Sequence, residues 1–179
     1  GMYAITANKG PVVHAFQELT SLAQQNKRKF FFESTVMDGA PIFSLYRETI
    51  PCSNLLSIKG VLNSTTNMML TRMEAGDSFD QAVAYCQKIG IAETDPSGDI
   101  DGWDASVKIA ALVTVMMGIP LKPGEVDRKG IREITPEMVA LAKRDGKRYK
   151  LVCEAEKTNG FVRAKVAPQL VGVDSPMYG

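Results

Sequence analysis

Apolar residues fall at helical spacing in some stretches and at strand spacing in others, which predicts a mixed α and β chain. Behind Pro11, the residues Val12, Ala15, Phe16, Leu19 and Leu22 share one side of a helix reaching about residue 25. Residues 29–34, rich in phenylalanine, predict a strand. Residues 36–41 read as a loop, and Pro41 can open a helix to about residue 48. Leu55 to Leu62 alternates loosely and predicts a second strand. The polar run Asn63-Ser-Thr-Thr-Asn67 lies at a strand-to-helix junction, where a Ser or Thr would cap a helix reaching about residue 75 before Gly76. Ser78-Phe-Asp-Gln81 has the form of a capping box and opens a helix to about residue 89, before Gly90. An irregular linker follows Gly118-Ile-Pro120. Thr135-Pro136 then caps a helix to about residue 145, and Gly146 ends it. The alternating runs 148–156 and 161–166 flank Asn159-Gly160, a strong hairpin signal.

Between the Gly90 and Gly118 stops lies an acidic loop broken by Pro and Gly, from Glu93 to Gly102, which runs into a helix carrying Asp104 and Lys108. These two side chains, four residues apart, share one helix face with Cβ atoms roughly 6 Å apart. The helix continues through Ile109 to Met117, apolar on nearly every side, so it should be buried. An ammonium at its entrance must be paired or must reach outward. The spacing alone supports an ordinary ion pair at a helix start. A lysine held by a carboxylate beside a polar loop is also suited to giving a proton to a substrate oxygen.

Composition narrows the field. The 179 residues suit one domain, the hydrophobic fraction is 45%, and a net charge of +1 with scattered signs predicts no nucleic-acid footprint. No apolar run approaches the roughly 20 residues that span a bilayer, and no signal-peptide pattern opens the chain. Cys52, Cys86 and Cys153, odd in number and far apart, read as reduced thiols of a cytoplasmic protein. A zinc site is not expected with His14 as the one histidine. A calcium loop built around Gly102 would put Lys108 where the terminal glutamate belongs, which is the wrong charge. His14 is expected on a helix rim, and Met68, Met69 and Met73 in the core. The run 63–67 reads first as a helix cap and second as a carboxylate-binding helix start. No G-x-G-x-x-G follows a strand, so the chain alone offers no usual nicotinamide-nucleotide cradle. Gly1 before Met2 reads as a cloning remnant, and Tyr3-Ala-Ile5 as the tail of a strand that began earlier.

Four segments, in order, resemble homoserine dehydrogenase: Thr6-Ala-Asn-Lys9; Glu33-Ser-Thr-Val-Met-Asp-Gly-Ala-Pro-Ile42; Gly60-Val-Leu-Asn-Ser-Thr-Thr-Asn67; and Ala92-Glu-Thr-Asp-Pro through Asp99, Gly102, Asp104 and Lys108. The likeness covers almost the whole chain. It implies an α+β fold: a mixed, largely antiparallel sheet with helices packed on one face. Residues 1–9 would be the remnant and the tail of a nucleotide-binding domain otherwise absent. Residues 10–179 would form a substrate-binding, catalytic and dimer-forming domain. The implied activity is reduction of aspartate semialdehyde to homoserine with NADPH or NADH, a cytoplasmic step of threonine and methionine synthesis. Alone, the chain would be an incomplete and inactive enzyme. The alternative is a non-catalytic binding or dimerisation module of the same fold.

By the same resemblance, Lys108 would donate a proton to the aldehyde oxygen, or polarise it. Asp104 would lie against the substrate and hold Lys108, and Lys9 would be a second cation near the reacting end. Glu93 would bind the substrate ammonium. Asp99, Thr65, Ser64 and Asn63 would complete the substrate site. Glu33, Val36 and Asp38 would mark a monovalent cation site for Na+ or K+. Three positions depart from the family pattern. Ser64 replaces a glycine, Met37 and Asp38 stand where small residues are usual, and Ile91 stands where some members carry tyrosine.

Overall fold

Local polar chemistry opens most of the helices in this computed structural model, which describes residues 2–179; Gly1 and its reading as a remnant lie outside the described residues. After the short strand β1 (Ala4–Ile5), the Asn8 side chain accepts the Gly10 N–H at 2.9 Å and starts α1 (Lys9–Gln25). This helix begins two residues earlier than Pro11 implies, and it is interrupted at Ala15, where φ is −142°. The strand expected over 29–34 shrinks to β2 (Phe30–Phe31), which runs parallel to β1. The reason lies in Glu33. Its carboxylate accepts the N–H groups of Phe43 (2.7 Å) and Ser44 (3.1 Å) and the Ser44 hydroxyl (2.7 Å), which turns Glu33–Thr35 into a 3-10 coil and caps α2 (Ile42–Thr49). The phenylalanines that suggested a strand serve a ring cluster instead, with Phe32 5.2–5.4 Å from Phe16, Phe30 and Phe43.

The strand β3 (Ser57–Val61) leads into α3 (Ser64–Glu74). Its cap is Asn63 rather than a Ser or Thr of the polar run: the Asn63 amide oxygen accepts the Thr66 N–H at 2.8 Å. In α4 (Phe79–Lys88) the expected capping box forms, Ser78 Oγ accepting from Gln81 N (3.2 Å) and Gln81 Oε1 from Ser78 N (2.9 Å). Replacing Ser78 with alanine should lower stability by about 1 kcal/mol, readable as a drop in thermal midpoint of roughly 2–4 °C.

The acidic loop is more ordered than its composition implies, for it holds one helical turn, α5 (Ser97–Ile100). Next come α6 (Trp103–Leu112) and a π-helical turn, Val113–Met117, closed by Gly118 at φ +68°. The linker conceals β4 (Asp127–Arg128), parallel to β6. Two charged residues carry no strand signal; they are extended because the neighbouring strand offers an edge. After α7 (Pro136–Arg144), capped by Thr135, the hairpin strands are β5 (Lys147–Thr158) and β6 (Phe161–Gly172). Asn159 and Gly160 have φ of +52° and +83°, as a type I′ turn requires. β6 runs well past residue 166, through Pro168, and its buried positions change there from even (Ala164, Val166) to odd (Ala167, Val171).

The main sheet has the order β3-β5-β6-β4. The two-residue loop makes β5 and β6 antiparallel. β3 and β5 are antiparallel too, since Lys157 N–H reaches the Leu56 carbonyl at 2.8 Å while Lys59 pairs with Glu154 at 3.2 Å. The mixed, largely antiparallel sheet with helices is the fold class expected. The backbone gathers into two compact units: one of residues up to 58, 107–126 and 155–164, the other of residues 59–106, 127–154 and 165–179. In the first, the core holds Val12, Val13, Phe43 and Val113. In the second, α3 packs on α4 and α7, and the core holds Met69, Leu70, Met73, Ile131, Leu151 and Val166. Met69 and Met73 are core as expected, and His14 is exposed. Cys86 and Cys153 are buried free thiols, and Cys52 is an exposed one. No described helix is long and apolar enough to cross a membrane.

Candidate active site

The second unit draws three of the expected site residues together. Asn63, capping α3, is 3% exposed. Its amide nitrogen donates to Asp99 Oδ1 at 2.6 Å and to Asp104 Oδ2 at 3.0 Å. Its amide oxygen accepts both the N–H and the hydroxyl of Thr66, each at 2.8 Å. One buried amide thus joins α3, α5 and the first turn of α6.

The acidic turn is shaped from within and clamped from outside. Asp95 accepts the Ser97 N–H at 3.1 Å, and hydrogen bonds from Ser97 hold the Asp95 carboxyl below its ordinary pKa. Gly102, at φ +79°, lets the chain turn from α5 into α6. From the segment after β4, Ile131 N–H donates to the Ile100 carbonyl at 2.8 Å. Arg132 reaches Asp101 Oδ1 through Nε at 3.0 Å and a terminal nitrogen at 2.9 Å. The Arg128 guanidinium donates to the Asp101 carbonyl and lies 3.7 Å above the Trp103 ring. Asp101, Arg128 and Arg132 frame a small cavity of about 200 Å³ with Trp103 and Gly130. Sequence reading missed the clamp, because a linker without periodicity gives no sign of what it touches.

The remaining expected residues are placed as follows. The Thr65 hydroxyl is buried and donates to the Ile91 carbonyl at 3.3 Å, while Ser64 is exposed. Glu93 is exposed on a loop tied to α4, where Gln87 Nε2 donates to the Glu93 and Thr94 carbonyls at 3.3 and 3.0 Å. Asn67 accepts from Lys150 Nζ at 2.8 Å, a buried amine that also donates to the Gly179 carbonyl at 3.0 Å. Burial pushes the Lys150 ammonium below the usual lysine pKa; Glu74 opposes the shift and Arg148 adds to it. Lys150 had no signal in the sequence.

Lys108, half-buried, lies one turn beyond Asp104 along α6. Lys108 belongs to the first unit, as do Lys9, Glu33, Val36 and Asp38. Lys9 is the first residue of α1. Glu33 has three of a carboxylate's roughly four acceptor positions taken by α2, Val36 is buried, and Asp38 is exposed. Among the described residues no three His, Cys, Asp or Glu side chains converge as a metal site. A monovalent cation here would have to rest on Glu33 and main-chain carbonyls. The strand-to-helix turn from β3 to α3 carries Asn63-Ser64 in place of a glycine-rich cradle, and its cap is already bonded to carboxylates.

The homoserine dehydrogenase family profile matches residues 41–179. The chain belongs to the homoserine dehydrogenase family. It is 40% identical over 176 residues to the homoserine dehydrogenase of Methanocaldococcus jannaschii, covering 98% of this chain and 51% of that one. It is 35% identical over 178 residues to the NAD(+)-dependent homoserine dehydrogenase of Pseudomonas canavaninivorans, covering 99% of this chain and 51% of that one. Among solved structures, a putative homoserine dehydrogenase from Archaeoglobus fulgidus superposes with a TM-score of 0.90 at 32% identity, over 98% of this chain and 53% of that one. A hyperthermophilic archaeal homoserine dehydrogenase in complex with NADPH gives 0.83 at 36% identity, over 98% and 50%. The chain therefore spans about half the length of the homoserine dehydrogenases it matches.

Proposed function

We propose that this chain is the substrate-binding and catalytic half of a homoserine dehydrogenase, acting on aspartate semialdehyde and homoserine in threonine and methionine synthesis. The observation that carries the reading is the joining of Asp99 and Asp104 by Asn63 in a chain of this family. When bound, NAD(P) would supply the hydride chemistry from a nucleotide-binding domain, and that domain and a second copy of this chain are the proposed partners. What this chain's side chains do is bind, orient and move a proton.

The substrate carries an ammonium, a carboxylate and an aldehyde. Glu93, exposed on its loop, takes the ammonium. The first turn of α3, with Ser64 and Thr65, faces the amino-acid end. Asp104 orients Lys108 along their shared helix face, and Asp99 supports the pair. In the reducing direction the Lys108 ammonium gives its proton to the carbonyl oxygen as that oxygen gains charge; in the oxidising direction the amine takes it back.

Steady-state kinetics of the intact enzyme with L-homoserine test the reading. Glu93→Gln should raise KM about 10- to 100-fold with kcat little altered, because a charged hydrogen bond to the ground state is lost. A KM equal to that of the wild type would place the ammonium elsewhere.

A further inference from the structure

We propose that Asn63 is a positioning residue that acts on the reaction only through Asp99 and Asp104, as the spacer that fixes their separation and orientation. The proposal rests on the homoserine dehydrogenase reading of this site. An asparagine amide offers two N–H donors and one carbonyl oxygen with two lone pairs. All four are engaged within the protein: the donors on Asp99 Oδ1 and Asp104 Oδ2, the oxygen on the Thr66 N–H and hydroxyl. At 3% exposure the side chain has neither a hydrogen-bonding position nor surface left for a substrate. What it does instead is set between two carboxylates of like charge a neutral group that donates to both. Loss of its two N–H groups would break the hydrogen-bonded link observed between these like charges. The same amide is the cap of α3, so the spacing of the acids and the direction of the substrate-facing helix start are set by one side chain.

Two substitutions separate the tasks. Asn63→Ser and Asn63→Asp both keep a good helix cap, because each has an oxygen to accept the Thr66 N–H. The first removes the donors to the carboxylates, and the second replaces them with a third negative charge. In the intact enzyme, assayed with L-homoserine and NAD(P)+, Asn63→Ser should lose about 100-fold in kcat/KM, and Asn63→Asp should lose more. Asn63→Ser added to the pair Asp99→Ala and Asp104→Ala should be no worse than that pair alone, within about threefold, because these changes break the same two linkages. Thermal melts of both single variants should show a cooperative fold. A further, multiplying loss when Asn63→Ser is added to the variant lacking both carboxylates would mean that Asn63 touches substrate directly and would overturn the proposal. So would an Asn63→Ser enzyme within threefold of wild type, or one that no longer folds. A wild-type enzyme inert toward homoserine would instead remove the functional reading on which the proposal stands.

Discussion

If the proposed function holds, Lys108→Ala in the intact enzyme cuts kcat by about 10²- to 10⁴-fold, the usual worth of a positioned general acid, with KM for homoserine changed only slightly. The argument begins with the helix. α6 enters the core through Ala105, Ser106 and Ile109, all fully buried, while Lys108 stays half-buried on the face of Asp104. The amine is therefore held on a rigid element rather than on a mobile loop, and a proton donor gains most from being held. Lys108→Arg sharpens the test. A guanidinium keeps the positive charge and does not release its proton in proteins, so the arginine variant should remain nearly as slow as the alanine one. Substantial recovery by arginine would show that charge alone suffices. An unaltered kcat in Lys108→Ala would remove the lysine from the chemistry.

Gly130→Ala should cost about 3 kcal/mol or more, at the upper end for overpacking, and lower the thermal midpoint by roughly 6–12 °C. A methyl group there would meet the Ile100 carbonyl oxygen and sit 2.6 Å from Asp101 Cα, which are backbone atoms with no flexible end to swing aside. The clamp that brings Ile131 and Arg132 onto the acidic turn depends on this close approach, so activity should fall along with stability. Gly98→Ala is the control, since a methyl there meets nothing within 4 Å. Thermal melts of the two variants decide the matter, and equal midpoints would contradict the packing argument.

The split between what could be read from the chain and what could not follows from range. The capping box at Ser78, the Thr135 cap and the Asn159-Gly160 turn are set by neighbours within three or four residues, and each forms as read. Errors arise where distant groups decide. Phe30 to Phe32 looks like strand until Glu33 is required by a helix ten residues on. Asp127–Arg128 becomes extended only because β6 lies beside it. At the site, the acidic turn and the Asp104 helix were visible as a family likeness. The bridging amide, the Arg128–Arg132 clamp and the buried Lys150 were not, since each joins segments about 20 to 80 residues apart and leaves no local pattern.

Trp103 is the chain's one tryptophan, and it lies under Arg128 beside Asp104. All indole emission therefore originates from this corner of the molecule, where a cation quenches or shifts it according to how closely it stacks. The protein carries a built-in optical reporter of its acidic turn, available without labelling.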